Sequence, residues 1–149
     1  MTNQDKTVLV TGGSGFIATH CILKLAAAGY KIKSTVRNLD RVSDLNKILD
    51  EAGSTYERLN KIDVDWVRAD LTKDEGWSEA VKGCDYVMHV ASPVALEEPK
   101  DENDLIVPAR EGTLRVIKAA NEEGVKKIVL TSSVAVSYTH LTLPTKEGV

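Results

Sequence analysis

The sequence has little of several things. Among 149 residues there are two cysteines, four prolines, one phenylalanine and two tryptophans, and aromatic residues make up only 5%. Cys21 and Cys84 stand far apart, in no C-x-x-C pair and beside no pair of histidines. That excludes a metal site built on them and fits reduced thiols in a cytoplasm. Nineteen Lys and Arg face 22 Asp and Glu, for a formal charge of −3 and no cluster of positive charge. The electrostatic footprint that nucleic acid requires is therefore missing. No apolar run approaches the roughly 20 residues that span a bilayer. The opening MTNQDKTVLV has no basic segment followed by a long apolar stretch, so neither a membrane span nor a signal peptide is expected.

What is present suits a single folded domain. Hydrophobic residues make up 42% and charged residues 28%, enough for one sizeable core and against disorder or a collagen-like repeat. Short β-rich runs alternate with helical periods. Strands are expected at Thr7 to Thr11, Lys31 to Val36, Val64 to Val67, Tyr86 to Val90 and Lys127 to Leu130. Between them, helices are expected at Phe16 to Ala28, Asp44 to Glu51, Trp77 to Val81 and Leu105 to Glu122, with Gly29 and Gly124 ending the first and last. An irregular loop rich in proline and acid is expected from Ser92 to Asp104. Connections of this length cannot be hairpins. They imply right-handed crossovers and a parallel sheet covered on both faces, a doubly wound α/β domain.

The strongest local signal is Thr11-Gly12-Gly13-Ser14-Gly15-Phe16-Ile17-Ala18, between the first strand and the first helix. Gly12 suits a sharp turn and Gly15 a close approach of the backbone to a pyrophosphate. Ser14, Phe16 and Ile17 lie where a helix N-terminus offers free N–H groups and a positive dipole end. The spacing departs from G-x-G-x-x-G, with Ala18 where a third glycine is common, and a plain strand-to-helix turn is the alternative.

TGGSGFIA near the start of a chain resembles the extended short-chain dehydrogenase/reductase family, the epimerase/dehydratase superfamily. STVRNLDR (34–41), ADLT (69–72), HVASP (89–93), IVPAREGTL (106–114) and VLTSS (129–133) follow in that family's order and spacing. Together they resemble its dihydroflavonol-reductase-like branch, which includes NADPH-dependent aldehyde and ketone reductases. The resemblance runs from Lys6 to about Ala135 and implies an NAD(P)-dependent oxidoreductase with a Rossmann-type fold and a small carbonyl substrate. It also implies that Asp70 and Leu71 flank the adenine, and that Val90, Ala91 and Ser92 form the floor under the nicotinamide ribose and pyrophosphate, with Thr131 beside the cofactor. Homodimers in the family often pair through helices that include the Leu105 to Glu122 element.

The cofactor preference is read from the end of the second strand. An acid there would accept a bond from the ribose 2′-hydroxyl of NAD, but the sequence has Arg37, whose planar fork of donors suits the 2′-phosphate of NADP. Arg41 is either a second positive contact or a solvated charge at a helix start. Asp40 is expected to cap the helix that follows. Asp70 has the alternative of a strand-end turn residue, and His89 is expected to be a satisfied core histidine rather than a catalytic one.

By resemblance, Ser133 is the hydroxyl that holds the substrate carbonyl, the alternative being a polar residue that ends the fifth strand. Its family partners are a proton-donating Tyr and a Lys four residues later. No Tyr in this chain has Lys at that spacing: Tyr30, Tyr56, Tyr86 and Tyr138 are followed there by Ser34, Asn60, Val90 and Thr142. The expected status is a catalytically incompetent fragment, residues 1–135 being an incomplete dinucleotide-binding domain. Residues 136–145, VSYTHLTLPT, match residue for residue the translation of GTC TCT TAT ACA CAT CTG ACG CTG CCG ACG, a stretch of a common sequencing adapter. Residues 136–149 are accordingly expected to be non-native. Two readings stand beside the reductase: a nucleotide-sugar epimerase or dehydratase of the same superfamily, and a non-catalytic dinucleotide-binding module.

Overall fold

In the computed structural model, residues 3–57, 59–93 and 101–133 are described. The chain runs β1 (Thr7–Val10), α1 (Phe16–Ala27), β2 (Lys31–Val36), α2 (Val42–Ala52), β3 (Val64–Arg68), α3 (Trp77–Val81), β4 (Tyr86–His89), α4 (Asn103–Glu122) and β5 (Lys127–Leu130). The strands form one sheet in the order β3-β2-β1-β4-β5. Every pairing is parallel, with Val8 opposite Ile32 on one side and Tyr86 on the other. The fold is the doubly wound Rossmann-type sheet the sequence pattern implies.

Alternation along the strands sorts the core into two layers. Leu9, Val67 and Val87 face one way, onto Trp77, Ala80 and Val81 of α3 and Val116, Ala119 and Ala120 of α4. Val10, Ile32 and Val64 face the other way, onto Ala18, Ile22 and Leu23 of α1 and Leu49 of α2. Helical spacing of three or four residues keeps each of these sets on one side of its helix. At the end where the strands start, Asp85 ties three of them together. Its carboxylate takes the Thr7 N–H at 3.1 Å and pairs with Lys6 at 3.3 Å and Lys126 at 2.5 Å.

The observed boundaries differ from the expected ones in a few places. After α2 a π-helical turn covers Gly53–Glu57. The long helix α4 begins at Asn103, inside the stretch expected to be loop, and contains Pro108. Asp40 does not cap α2: the residue at the cap position is Arg41, with no side-chain cap bond. Instead the Asn38 side chain accepts the Asp40 N–H and caps the 3-10 turn Leu39–Arg41, which places Asp40 inside that turn rather than at the start of α2. Residues 136–149 lie outside the described residues, as do positions 94–100 of the expected loop.

Candidate functional site

The strand order reverses at β1, whose neighbours are β2 and β4. In an open parallel sheet the crevice beyond the strand ends at such a reversal is where ligands bind. Each expected site residue lies along this end of the sheet.

The glycine loop is held from the neighbouring strand. Thr35 of β2 accepts the Gly12 N–H on its hydroxyl at 3.0 Å and the Gly13 N–H on its carbonyl at 2.9 Å. Gly12 has a φ of +73°, and a Cβ there would stand 3.0 Å from the Cβ of Ala91. The turn at this residue and the narrow gap to Ala91 both require glycine. Gly13, absent from the expected site, is the tightest position of this loop: a Cβ would come within 2.2 Å of Ser34 Oγ and 2.6 Å of the Trp66 ring. Gly15 closes the loop by donating to the Gly12 carbonyl at 2.8 Å.

With those N–H groups used, the ones left over are at the start of α1. Gly15 is its N-cap and makes no side-chain cap bond. The N–H groups of Ser14, Phe16 and Ile17 find no acceptor among the described residues, and all three residues are exposed, Phe16 at 80%. Unpaired donors at a positive dipole end fit a pyrophosphate.

A second part of the site lies beyond β2 and β3. Arg37, Arg68, Asp70 and Lys73 line a cleft of about 300 Å³. Asp70 accepts from the Thr72 N–H at 3.0 Å and the Thr72 hydroxyl at 2.9 Å, both on Oδ1. The Thr72 N–H is the main reason its carboxyl is held below the usual range, with Arg37 and Lys73 adding their charge. Asp70 is thus a turn residue and a cleft residue at once, its Oδ2 facing no described donor. Arg41 is exposed one turn along the chain and does not line this cleft.

The segment from Asp70 to Asp74 is braced by residues that sequence reasoning did not single out. Trp77 Nε1 donates to the carbonyls of Asp70 at 3.2 Å and Lys73 at 3.0 Å. Arg115 of α4 donates to the Leu71 carbonyl at 3.0 Å and pairs with Asp74. Gly112 lets α4 approach Leu71. Within the IVPAREGTL motif the glycine was visible, but its contact is about forty positions away along the chain.

Val90 and Ala91 follow directly after β4, both N–H groups donating to Thr11 Oγ1 at 3.0 Å, and Ser92 is exposed beyond them. His89 is 1% exposed and bonds through Nδ1 to Thr11 Oγ1 at 2.8 Å, the satisfied core histidine expected. Thr131 donates both its N–H and its hydroxyl to the His89 carbonyl, each at 3.1 Å. Ser133 is exposed just past β5. Burial pushes both cysteine thiols up, so neither is poised as a nucleophile. Among the described residues there is no cluster able to hold a metal ion, and no helix is long and apolar enough to cross a membrane.

A glycine loop leading into an uncapped helix at the reversal point of a parallel sheet, with an arginine after the second strand, defines a dinucleotide-binding domain of the NAD(P)-dependent oxidoreductase type. Comparison with known proteins agrees. Residues 9–143 match the 3-beta hydroxysteroid dehydrogenase/isomerase family, and the chain belongs to that family, within the extended short-chain dehydrogenase/reductase superfamily. It is 41% identical over 134 residues to a dihydroflavonol 4-reductase of Hordeum vulgare, covering 89% of this chain and 36% of the relative. The chain thus spans about a third of the length of the curated relatives it matches. Among solved structures it resembles Gre2 in complex with NADPH from Candida albicans, at 27% identity and TM-score 0.72, covering 87% of this chain and 38% of that one. It also resembles UDP-glucose 4-epimerase from Bifidobacterium longum in complex with NAD+ and UDP, at 27% identity and TM-score 0.68, covering 88% and 38%.

Proposed function

We propose that the parent protein reduces an aldehyde or ketone with NADPH, and that this 149-residue chain carries its cofactor half without the catalytic dyad. The observation that carries the reading is Arg37, a cation after β2 on the cleft it shares with Asp70. A carboxylate at that place would repel a 2′-phosphate, whereas a guanidinium pairs with it. The dihydroflavonol reductase of Hordeum vulgare and the NADPH complex of Gre2 support the same direction.

Each residue then has a task. The Ser14, Phe16 and Ile17 N–H groups bind the pyrophosphate, with Gly12 and Gly15 keeping the backbone close to it. Arg37 binds the 2′-phosphate and Arg41 adds positive potential nearby. The Asp70 carboxylate accepts from the adenine amino group, and Leu71 gives an apolar edge. Val90, Ala91 and Ser92 floor the nicotinamide ribose, and Thr131 lines its far side. The bound cofactor supplies a hydride. Ser133 donates a hydrogen bond to the carbonyl oxygen as charge develops on it. In the parent, a Tyr-x-x-x-Lys supplies the proton. Its absence here costs on the order of 10²- to 10⁴-fold in rate.

Residues 1–135 are the incomplete domain and 136–149 the adapter-derived tail in this reading, although the family match itself extends to residue 143. Long-read sequencing of the source DNA across the Ala135 codon, followed by expression of the complete frame, tests it. The frame is expected to continue into a Tyr-x-x-x-Lys, and its product to consume NADPH with an aldehyde or ketone. The 149-residue chain is expected to be at least a hundredfold slower. A frame that reads VSYTHLTLPTKEGV and stops favours the non-catalytic binding module instead. A second reading, a nucleotide-sugar epimerase, draws on the likeness to the NAD+ and UDP complex. Tightly held NAD in the complete product would favour it.

A further inference from the structure

His89 has no task in that assignment, yet its surroundings are specific. The ring lies at the end of β4 between the glycine loop and α4, with Nδ1 2.8 Å from Thr11 Oγ1 and Nε2 3.4 Å from Thr113 Oγ1. The Thr11 hydroxyl also accepts the N–H groups of Val90 and Ala91, each at 3.0 Å. A hydroxyl has one hydrogen to give and two lone pairs to fill. Both lone pairs are taken by backbone N–H groups, so the hydrogen goes to His89 Nδ1. That nitrogen is therefore the acceptor, the ring proton is on Nε2, and Nε2–H is directed to Thr113.

We propose that His89, neutral and protonated on Nε2, is a positioning residue for the dinucleotide, fixing Thr11 as a double acceptor and so setting the gap between Gly12 and Ala91. This rests on the reading that the dinucleotide lies in that crevice. Thr11 is bonded directly to Gly12 and, through its hydroxyl, holds the backbone of residues 90 and 91. It thus ties the two walls together. The gap has no slack, since a Cβ on Gly12 would already stand 3.0 Å from that of Ala91. An imidazolium has hydrogens on both nitrogens. Its Nδ1–H would face the Thr11 oxygen, which would have to release one of the two amides to accept it.

The groups that meet the ring are neutral. Thr11 approaches from the glycine loop and Thr113 from α4, while on the β5 side Thr131 bonds to the His89 carbonyl. Among the described residues no charged side chain contributes to its shift. Burial alone holds the imidazole below its ordinary value.

The test uses the 149-residue chain. Nitrogen NMR of His89 in the ligand-free protein is expected to report a protonated Nε2 and a bare Nδ1. NADPH affinity is then followed from pH 8 downward. In the wild type it is expected to hold steady and then to weaken about tenfold per pH unit below the His89 pKa. His89→Asn, whose amide oxygen can stand where Nδ1 stood, is expected to bind with that pH dependence flattened. His89→Leu is expected to bind about tenfold or more weakly at every pH, because Thr11 loses its acceptor. A proton on Nδ1, a wild-type pH slope in His89→Asn, or wild-type affinity in His89→Leu overturns the proposal. Should His89→Leu fail to fold, the slope of the Asn variant and the ring tautomer decide. Failure of the wild type to bind NADPH or NADH at any pH sinks the dinucleotide reading itself, and the tautomer still reports on the Thr11 arrangement.

Discussion

Gly112 of α4 and Leu71 after β3 are packed so closely that a Cβ on Gly112 would stand 2.8 Å from the Cβ of Leu71 and 3.1 Å from its carbonyl oxygen. The helix that braces the segment after β3 is thus seated directly on it. Gly112→Ala is expected to push the two apart, at a cost of about 1–3 kcal/mol in stability as for other overpacked sites. Chemical denaturation measures the loss. If Leu71 borders the adenine, dinucleotide affinity falls in the same variant, and unchanged stability would show that the contact has room to relax.

Gly13→Ala is the more severe change. Its Cβ would overlap both Ser34 Oγ and the Trp66 ring, and Trp66 is itself fixed by a 2.8 Å bond from Nε1 to Asn46. A destabilisation of about 3 kcal/mol is expected, at the upper end for overpacking. The double variant Gly13→Ala with Ser34→Ala removes one clash and keeps the other, so thermal melts should show only partial recovery. Full recovery would mean that the Trp66 ring moves freely.

The proposed preference for NADPH is tested at Arg37. Replacing Arg37 with Ala is expected to lower the preference for NADPH over NADH by about 10- to 100-fold, the range for a charge-assisted bond to phosphate. NADH affinity should barely change. Titration of both dinucleotides measures this, and equal losses for the two would assign Arg37 to a general electrostatic role.

The acid side of the stability profile should carry the signature of Asp85. Lys126 and the Thr7 N–H pull its carboxyl from the ordinary 3.8 down to about 2. A depressed folded-state value means that the stabilisation is present above the unfolded-state value and is lost as pH falls from about 4 towards 2. Asp85→Asn is expected to lower the melting temperature at neutral pH and to flatten its decline over that interval. A variant that keeps the full acid slope would assign the transition to other carboxylates.

Much of this architecture is legible in the sequence because it depends on neighbours along the chain. TVLV followed by glycines and a helical period marks β1, the loop and α1, and Arg37 is readable because it directly follows the second strand. What was not legible depends on contacts between distant positions. Gly13 is crowded by Ser34 and Trp66, and Gly112 by Leu71. Asp40 has the composition of a cap, but Asn38 reaches the backbone first and shifts the turn. The bond between Thr11 and His89 spans 78 positions, so the sequence gives both partners without pairing them.

Thr35 holds Gly12 and Gly13, and Arg37 follows it two residues later, just past the end of β2. At about 3.3 Å per residue, roughly 7 Å of backbone separates the anchor of the glycine loop from the cation that shares a cleft with Asp70. The strand therefore acts as a ruler. Longer or shorter side chains at position 37 change its reach, while only an insertion or deletion after Thr35 changes its gauge.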